Sequence, residues 1–250
     1  HLDMPKKKTS RSVRAASTPL HSQPVHPQVA QWYMQAHQFL QSGDVHQAKQ
    51  LLVKIIQHAP SHAESNHLLG VINHQAGDSV NAERMIRKAI KMSPQLWQAH
   101  NNLGVVLKDQ GKLKQAKVVY LGLLKTKPDY ADAHSNLGVI YSELGDSESA
   151  VNSLERAIKL KPENIDAHYT LGTVRFLQAK YELAIEQFEH VLFNNPDHVE
   201  SRNNLGCAYL HRGQYKDAEA AFDQVIKQRP DHAQALNNRG QARQKLLNFD

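Results

Sequence analysis

Residues 131–164 read ADAHSNLGVIYSELGDSESAVNSLERAIKLKPEN, and this stretch decides the fold. It carries two glycines and one proline, Gly138, Gly145 and Pro162, and the same three positions recur every 34 residues. The proline series is Pro60, Pro94, Pro128, Pro162, Pro196 and Pro230. The glycine series are Gly70, Gly104, Gly138, Gly172, Gly206 and Gly240, and Gly43, Gly77, Gly111, Gly145 and Gly213, with Ala179 filling the one gap. A fixed period of this length indicates a solenoid of stacked repeats.

With the proline placed at position 32, the chain divides into six complete repeats and a partial seventh. They are 29–62, 63–96, 97–130, 131–164, 165–198, 199–232 and the partial 233–250. Within each repeat the apolar residues are spaced by three and four, which predicts two amphipathic helices. We expect the glycine at position 15 to end the first helix and the proline to end the second. We also expect the glycine at position 8 to face the alanine at position 20 where the two helices cross. The sequence therefore predicts an all-α solenoid.

This 34-residue pattern resembles the tetratricopeptide repeat family, and the resemblance covers residues 29–250. It implies a right-handed superhelix of helix-turn-helix repeats, in which the first helices line a concave groove. In such a stack each repeat packs only against its neighbours, so the stability of the solenoid is close to a sum over adjacent pairs.

The charge of the chain is concentrated at its N-terminus. The chain has 30 basic and 24 acidic side chains, a formal charge of +6. Residues 1–28 contain five of the basic side chains and one of the acidic ones, so this segment alone carries +4. Because it is rich in proline and polar residues, we expect a disordered basic tail. The tail is either a solvated arm or a site for nucleic acid, anionic lipid or an import receptor. The near-neutral repeats predict no specific nucleic-acid partner.

Three composition features bound the class of protein. The mean hydropathy is −0.58 and no apolar run is long enough to cross a bilayer, so no membrane span is expected. The single cysteine, Cys207, excludes a disulfide framework and is compatible with a cytoplasmic location. The chain runs from His1 to Asp250, which falls inside the seventh repeat. We therefore expect a fragment whose last apolar residues, Leu246, Leu247 and Phe249, are exposed and available for self-association.

The sixteen histidines raise the question of a metal or catalytic site. His100, His134 and His168 all occupy position 4, so they form one row along the stack. Equivalent positions are about 8–10 Å apart in packed helices, too far for ligands that each bind zinc at about 2.0–2.1 Å. We expect these rings to pack between helices. The chain shows no phosphate-binding loop, nucleophile elbow or zinc-protease motif, so no cofactor, metal or enzyme active site is expected within residues 1–250.

The groove is the remaining candidate site. The family resemblance implies that positions 2, 5, 6, 9, 12 and 13 of each first helix line it or lie close to it. Asparagines recur at positions 5 and 6, and an amide can pair with a peptide bond because it offers both donors and an acceptor. They are Asn101, Asn102, Asn136, Asn203, Asn204, Asn237 and Asn238, and Thr170 interrupts the row. The row resembles the asparagine ladder in the superhelix of O-GlcNAc transferase; alternatively, these asparagines make only local hydrogen bonds.

Other groove positions suggest the character of the ligand. The acids at position 2, Glu64, Asp132, Asp166 and Glu200, favour a basic or mixed segment, although acids at a helix start also stabilise the helix itself. Tyr169 and Phe176 in the fifth repeat, with Leu177 beside them, form a candidate apolar anchor. Cys207 at position 9 is expected to behave as a small buried residue rather than a reactive thiol.

Three functions fit these features. The first is a non-enzymatic scaffold that binds extended peptide segments of partner proteins in its groove. The second is the substrate-recognition arm of a larger, bacterial-type glycosyltransferase or sulfotransferase whose catalytic domain lies beyond residue 250. The third is a self-assembling scaffold.

Overall fold

The computed structural model describes residues 26–247, and this part of the chain consists of thirteen α-helices without a β-strand. The first helices of the seven repeats are α1 (Pro27–Gln41), α3 (Ala63–Gln75), α5 (Trp97–Asp109), α7 (Ala131–Glu143), α9 (Ile165–Leu177), α11 (Val199–His211) and α13 (Ala233–Leu247). The second helices are α2 (Val45–His58), α4 (Ser79–Met92), α6 (Leu113–Thr126), α8 (Ser147–Leu160), α10 (Tyr181–Asn194) and α12 (Tyr215–Gln228). The predicted all-α solenoid is confirmed.

The turn between the two helices of a repeat depends on the glycine at position 15. Every first helix from α1 to α11 ends two residues before this position. The glycines there have φ between +73° and +83°, a region that a side chain disfavours. Ala179 fills the same position with φ of +57°, the only positive φ of a non-glycine residue among those described. The second helices end two residues before the proline, as predicted.

The N-terminal boundary of the first helix differs from the prediction. Helix α1 begins at Pro27, inside the segment 1–28 that the sequence predicts to be disordered, with the proline in the first turn. Proline suits this place because the first helical N–H groups have no partner within the helix. Residues 1–25, which hold all five basic side chains of the tail, lie outside the described residues.

The close approach of the two helices in a repeat is made by a different pair from the predicted one. A β-carbon built on Gly138 would lie 2.5 Å from Cγ of Leu154, whereas the nearest atom of Ala150 is its carbonyl oxygen at 3.3 Å. The glycine at position 8 thus makes room mainly for the large side chain at position 24. This side chain reaches across the helix pair, so the expected contact with the alanine at position 20 is secondary.

The repeats pack in the order of the chain. Each first helix packs against the second helix of its own repeat, and each second helix packs against the first helix of the next repeat. Successive first helices also contact one another, from α3 with α5 to α11 with α13. Equivalent side chains on the first helices therefore lie in rows that cross the repeat boundaries.

At the C-terminal end of the described part, helix α13 has no second helix to cover it. Leu247 is 78% exposed, as expected. Leu246 is half-buried, contrary to the prediction, and Phe249 lies outside the described residues. Among the helices described, none combines the length and hydropathy needed to cross a membrane.

Candidate functional site

The predicted groove residues lie on five consecutive first helices, α5, α7, α9, α11 and α13. Asn101, Asn102, Asn136, Asn204 and Asn238 are half-buried, as expected for side chains in a groove between helices, and Asn237 is exposed. The row of candidate amides thus follows the stack over several repeats.

Hydrogen bonds between repeats orient the amides in the middle of the row. Asn136 Nδ2 donates to Asn101 Oδ1 of the preceding repeat at 3.0 Å. Asn102 Nδ2 donates in the same way to His67 Nε2 at 2.9 Å. The Asn101–Asn136 bond uses one donor and one acceptor, which leaves the NH₂ group of Asn101 and the carbonyl of Asn136 with capacity for a further partner. The pair presents a donor beside an acceptor, the complement of a peptide group.

The C-terminal amides are arranged differently. Asn238 Nδ2 donates to Sγ of Cys207 at 3.2 Å. Burial raises the pKa of this thiol to about 11, so the thiol stays protonated at neutral pH and is a poor nucleophile, in line with the prediction.

Asn203 departs from its expected place in the row. It is only 4% exposed, and its Nδ2 donates to Oε1 of Gln234 in the next repeat at 3.4 Å. Its carbonyl oxygen is buried without a hydrogen-bond partner in the described part of the chain. Because it is buried, Asn203 is not accessible to a ligand in the groove.

The acidic candidates fall into two classes. Asp132 and Asp166 are exposed at the starts of α7 and α9. Glu200, at the same repeat position, is paired with Arg229 at 3.0 Å. Glu64, the fourth acid at this position, is exposed and lies 3.7 Å from Nδ1 of His62. Within the described part of repeats three to seven, which carry the asparagine row, the acids at this edge without an ion pair are Asp132 and Asp166.

The two aromatic candidates, Tyr169 and Phe176, pack against other aromatic side chains of the protein. Tyr169 packs against Phe188, with ring centroids 6.3 Å apart. Phe176 meets Tyr181 and His211 edge-on, at 5.5 and 5.4 Å. Both candidates are half-buried, whereas neighbouring Leu177 is 72% exposed. The exposed apolar surface of this patch thus comes mostly from Leu177.

The histidine row at position 4 has a role that its spacing alone does not reveal. Nε2 of His100, His134 and His168 donates to the carbonyl oxygen of the proline six residues earlier, at 2.9 Å in each case. Asn66 and Arg202, at the same position, bond the equivalent carbonyls of Pro60 and Pro196. In repeats two to six, the side chain at position 4 therefore ties the start of the first helix to the turn that precedes it.

Other histidines act at helix ends and between repeats. Nδ1 of His62, His198 and His232 accepts from a backbone N–H in the first turn of the following helix, which is the role of an N-cap. His74 bonds Asp109 of the next repeat at 3.0 Å. The described residues contain no group of three or more His, Cys, Asp or Glu side chains placed to hold a metal ion.

Comparison with known protein families decides the class. A model described as "Tetratricopeptide repeat" matches residues 33–96, 169–223 and 203–243. A second, described as "TPR repeat", matches residues 106–145 and 140–178. The chain belongs to the tetratricopeptide repeat (TPR) family. Proteins of this family are generally scaffolds for protein–protein interaction and are typically non-catalytic.

Solved structures show the same fold at low sequence identity. The Pseudomonas aeruginosa protein pilF superposes with a TM-score of 0.77 at 17% identity, over 85% of this chain and 97% of that one. PilW, a type IV pilus biogenesis factor, superposes with a TM-score of 0.76 at 15% identity, over 85% of this chain and 98% of PilW. YrrB superposes with a TM-score of 0.61 at 22% identity, over 74% of this chain and 96% of YrrB. No curated protein matches the sequence.

Proposed function

We propose that this TPR chain is an interaction scaffold that holds an extended peptide segment of a partner protein along the first helices of repeats three to seven. The observation that carries the proposal is the bond between Asn101 and Asn136 across a repeat boundary. It fixes two amides in a relative orientation that leaves an NH₂ group and a carbonyl for a ligand. Such a pair recognises the backbone of a peptide without selecting its side chains.

The surroundings of these amides favour a segment with basic residues and one apolar anchor. Asp132 and Asp166 are exposed at the ends of neighbouring first helices and attract lysine or arginine. Leu177 supplies an exposed apolar contact beside the half-buried ring of Phe176. A solved structure of the same fold, YrrB, is described as a TPR protein with an unusual peptide-binding site, which supports a peptide ligand.

The test begins with a peptide selected against the chain from a displayed library of short random sequences. Its dissociation constant is then measured by calorimetry for the native chain and for a variant with Asn102, Asn136, Asn204 and Asn238 replaced by alanine. The control is Asn152→Ala, which removes an exposed asparagine from α8, a second helix. Loss of a few hydrogen bonds of about 1 kcal/mol each weakens binding by about tenfold or more.

Thermal unfolding of each variant separates the two roles of the amides. If the fourfold variant melts well below the native chain, Asn204→Ala alone is used, because the side chain of Asn204 makes no hydrogen bond to another described residue. Unchanged affinity together with lowered stability would show that the asparagines hold the repeats together and do not bind the ligand.

A further inference from the structure

The near-zero net charge of the repeats conceals a strong division along the solenoid. Residues 29–130 hold 12 basic and 6 acidic side chains, and residues 131–232 hold 10 basic and 16 acidic ones. The first three repeats therefore carry +6 and the next three −6. Two surfaces of opposite charge on one chain attract each other when two copies meet.

Two second helices concentrate these charges. Helix α6 contains Lys114, Lys117 and Lys125 and no acidic residue. Lys114 and Lys125 are exposed, and neither makes an ion pair within the described part of the chain. Between them Val118 and Leu121 are 67% and 45% exposed. Spacings of three and four place these residues on one outer stripe of the helix.

Helix α10, two repeats further on, has the opposite character. It contains Glu182, Glu186 and Glu189 and neither lysine nor arginine. All three are exposed; Glu182 pairs with Arg212, and Glu189 accepts from the hydroxyl of Tyr209. Phe193 near the end of the helix is 86% exposed, the largest apolar exposure among the described residues. An exposed aromatic residue on an acidic helix is a candidate anchor for an interface.

Helix α8 lies between them in the stack and carries two acidic and two basic residues, so it adds no net charge to this face. Glu148 is in its first turn and Lys159 in its last, and both side chains are exposed. A two-fold axis parallel to α8 places α6 of each copy opposite α10 of its partner, so the same contact forms twice. The two copies of α8 then run parallel to each other at the axis.

We propose that the outer faces of α6, α8 and α10 form a two-fold interface with a second copy of this chain. The interface joins the basic stripe of α6 to the acidic helix α10 and buries Val118, Leu121 and Phe193. It uses the second helices and leaves the first-helix groove free, so it is independent of the proposed peptide binding. It also differs from association through the end of α13.

Charge reversal tests the interface. The 250-residue chain is studied by sedimentation velocity across the micromolar range at about 0.02 M and about 1 M salt, where charges are weakly and strongly screened. Lys114→Glu/Lys125→Glu makes both faces acidic, and Glu186→Lys/Glu189→Lys makes both basic. We expect a dimer of the native chain that weakens about tenfold or more in high salt. Each variant alone is expected to be monomeric, and an equimolar mixture of the two is expected to form a dimer.

The matched control is Lys216→Glu/Lys227→Glu on α12, which changes the same two repeat positions in another repeat. We expect this variant to dimerise like the native chain, and circular dichroism melting confirms that every variant is folded. A native chain that stays monomeric at low salt would overturn the proposal. So would a dimer that survives both reversals, because its contact must then lie elsewhere, such as at α13.

Discussion

The ring of Phe188 lies against the backbone of Gly172 so closely that a β-carbon on the glycine would be 2.7 Å from Cε1 of the ring. Phe188 is fully buried, so its ring cannot move away from an added methyl group without displacing neighbouring side chains. We therefore expect Gly172→Ala to lower the free energy of unfolding by about 2–3 kcal/mol through overpacking. Urea unfolding followed by circular dichroism measures the change.

Gly240 provides the control, because it has the same repeat position but no atom within 4 Å of a β-carbon. Gly240→Ala should be neutral or stabilise the helix by up to about 1 kcal/mol. Equal effects at Gly172 and Gly240 would contradict the proposed role of the large side chain at position 24.

A second prediction compares opposite substitutions at position 15 of two repeats. Ala179 has φ of +57°, where a β-carbon is disfavoured, and Gly145 has φ of +79° with open space around it. Ala179→Gly should stabilise the chain by about 0.5–1 kcal/mol, and Gly145→Ala should destabilise it by about 1 kcal/mol. The midpoints of chemical unfolding report both. If Ala179→Gly is less stable than the native chain, the added conformational entropy of glycine in the unfolded state outweighs the removal of the steric cost at positive φ.

The bond between His134 and Pro128 makes a third prediction. His134→Ala removes the donor to a carbonyl at 2.9 Å and should cost about 1 kcal/mol of stability. His134→Arg should recover part of this, because Arg202 makes the equivalent bond to Pro196 in the sixth repeat. Identical unfolding midpoints for the alanine and arginine variants would show that the bond contributes nothing.

His67 contributes to the pH dependence of stability. Burial lowers the pKa of this imidazole, and Glu64 nearby opposes part of the shift. The unfolded chain then takes up the proton at a higher pH than the folded one, so this group's contribution to stability is present above about pH 6.5 and decreases on acidification below it. Protonation also removes the acceptor that Nε2 offers to Asn102.

Urea unfolding between about pH 7.5 and 5 checks this sign. His67→Gln should have a flatter pH profile than the native chain, while His46→Gln, which changes an exposed histidine on α2, should keep the native slope. A native slope in His67→Gln would assign the acid sensitivity to other groups.

The repeat architecture was accessible from the sequence because the period is set by backbone requirements. Gly145 needs a positive φ and Pro162 cannot continue a helix, so each leaves a mark at a fixed position. The same reasoning located Ala179 as the exception. The start of α1 at Pro27 was missed because a proline-rich polar stretch resembles a tail until the helix that follows it is seen.

The details of the site depend on side-chain conformations that no period determines. The bond from Asn136 to Asn101 spans 35 residues, and the bond from Asn203 to Gln234 depends on the rotamers of both. The spacing of the position-4 histidines predicted that they form a row along the stack. It did not identify the carbonyl of Pro128 as the acceptor for His134, because that contact depends on how the preceding turn folds back on the helix.

The measurement that tests the central claim most directly is a backbone scan of the selected peptide. Each backbone nitrogen is methylated in turn, and in a parallel set each side chain is truncated to alanine. Because the groove amides pair with peptide groups, we predict that methylation at central positions weakens binding to the native chain by about tenfold, which is the loss of one hydrogen bond. Most truncations should have smaller effects. Tolerance of methylation at every position, with binding lost on truncation, would contradict recognition of the peptide backbone by the asparagine row.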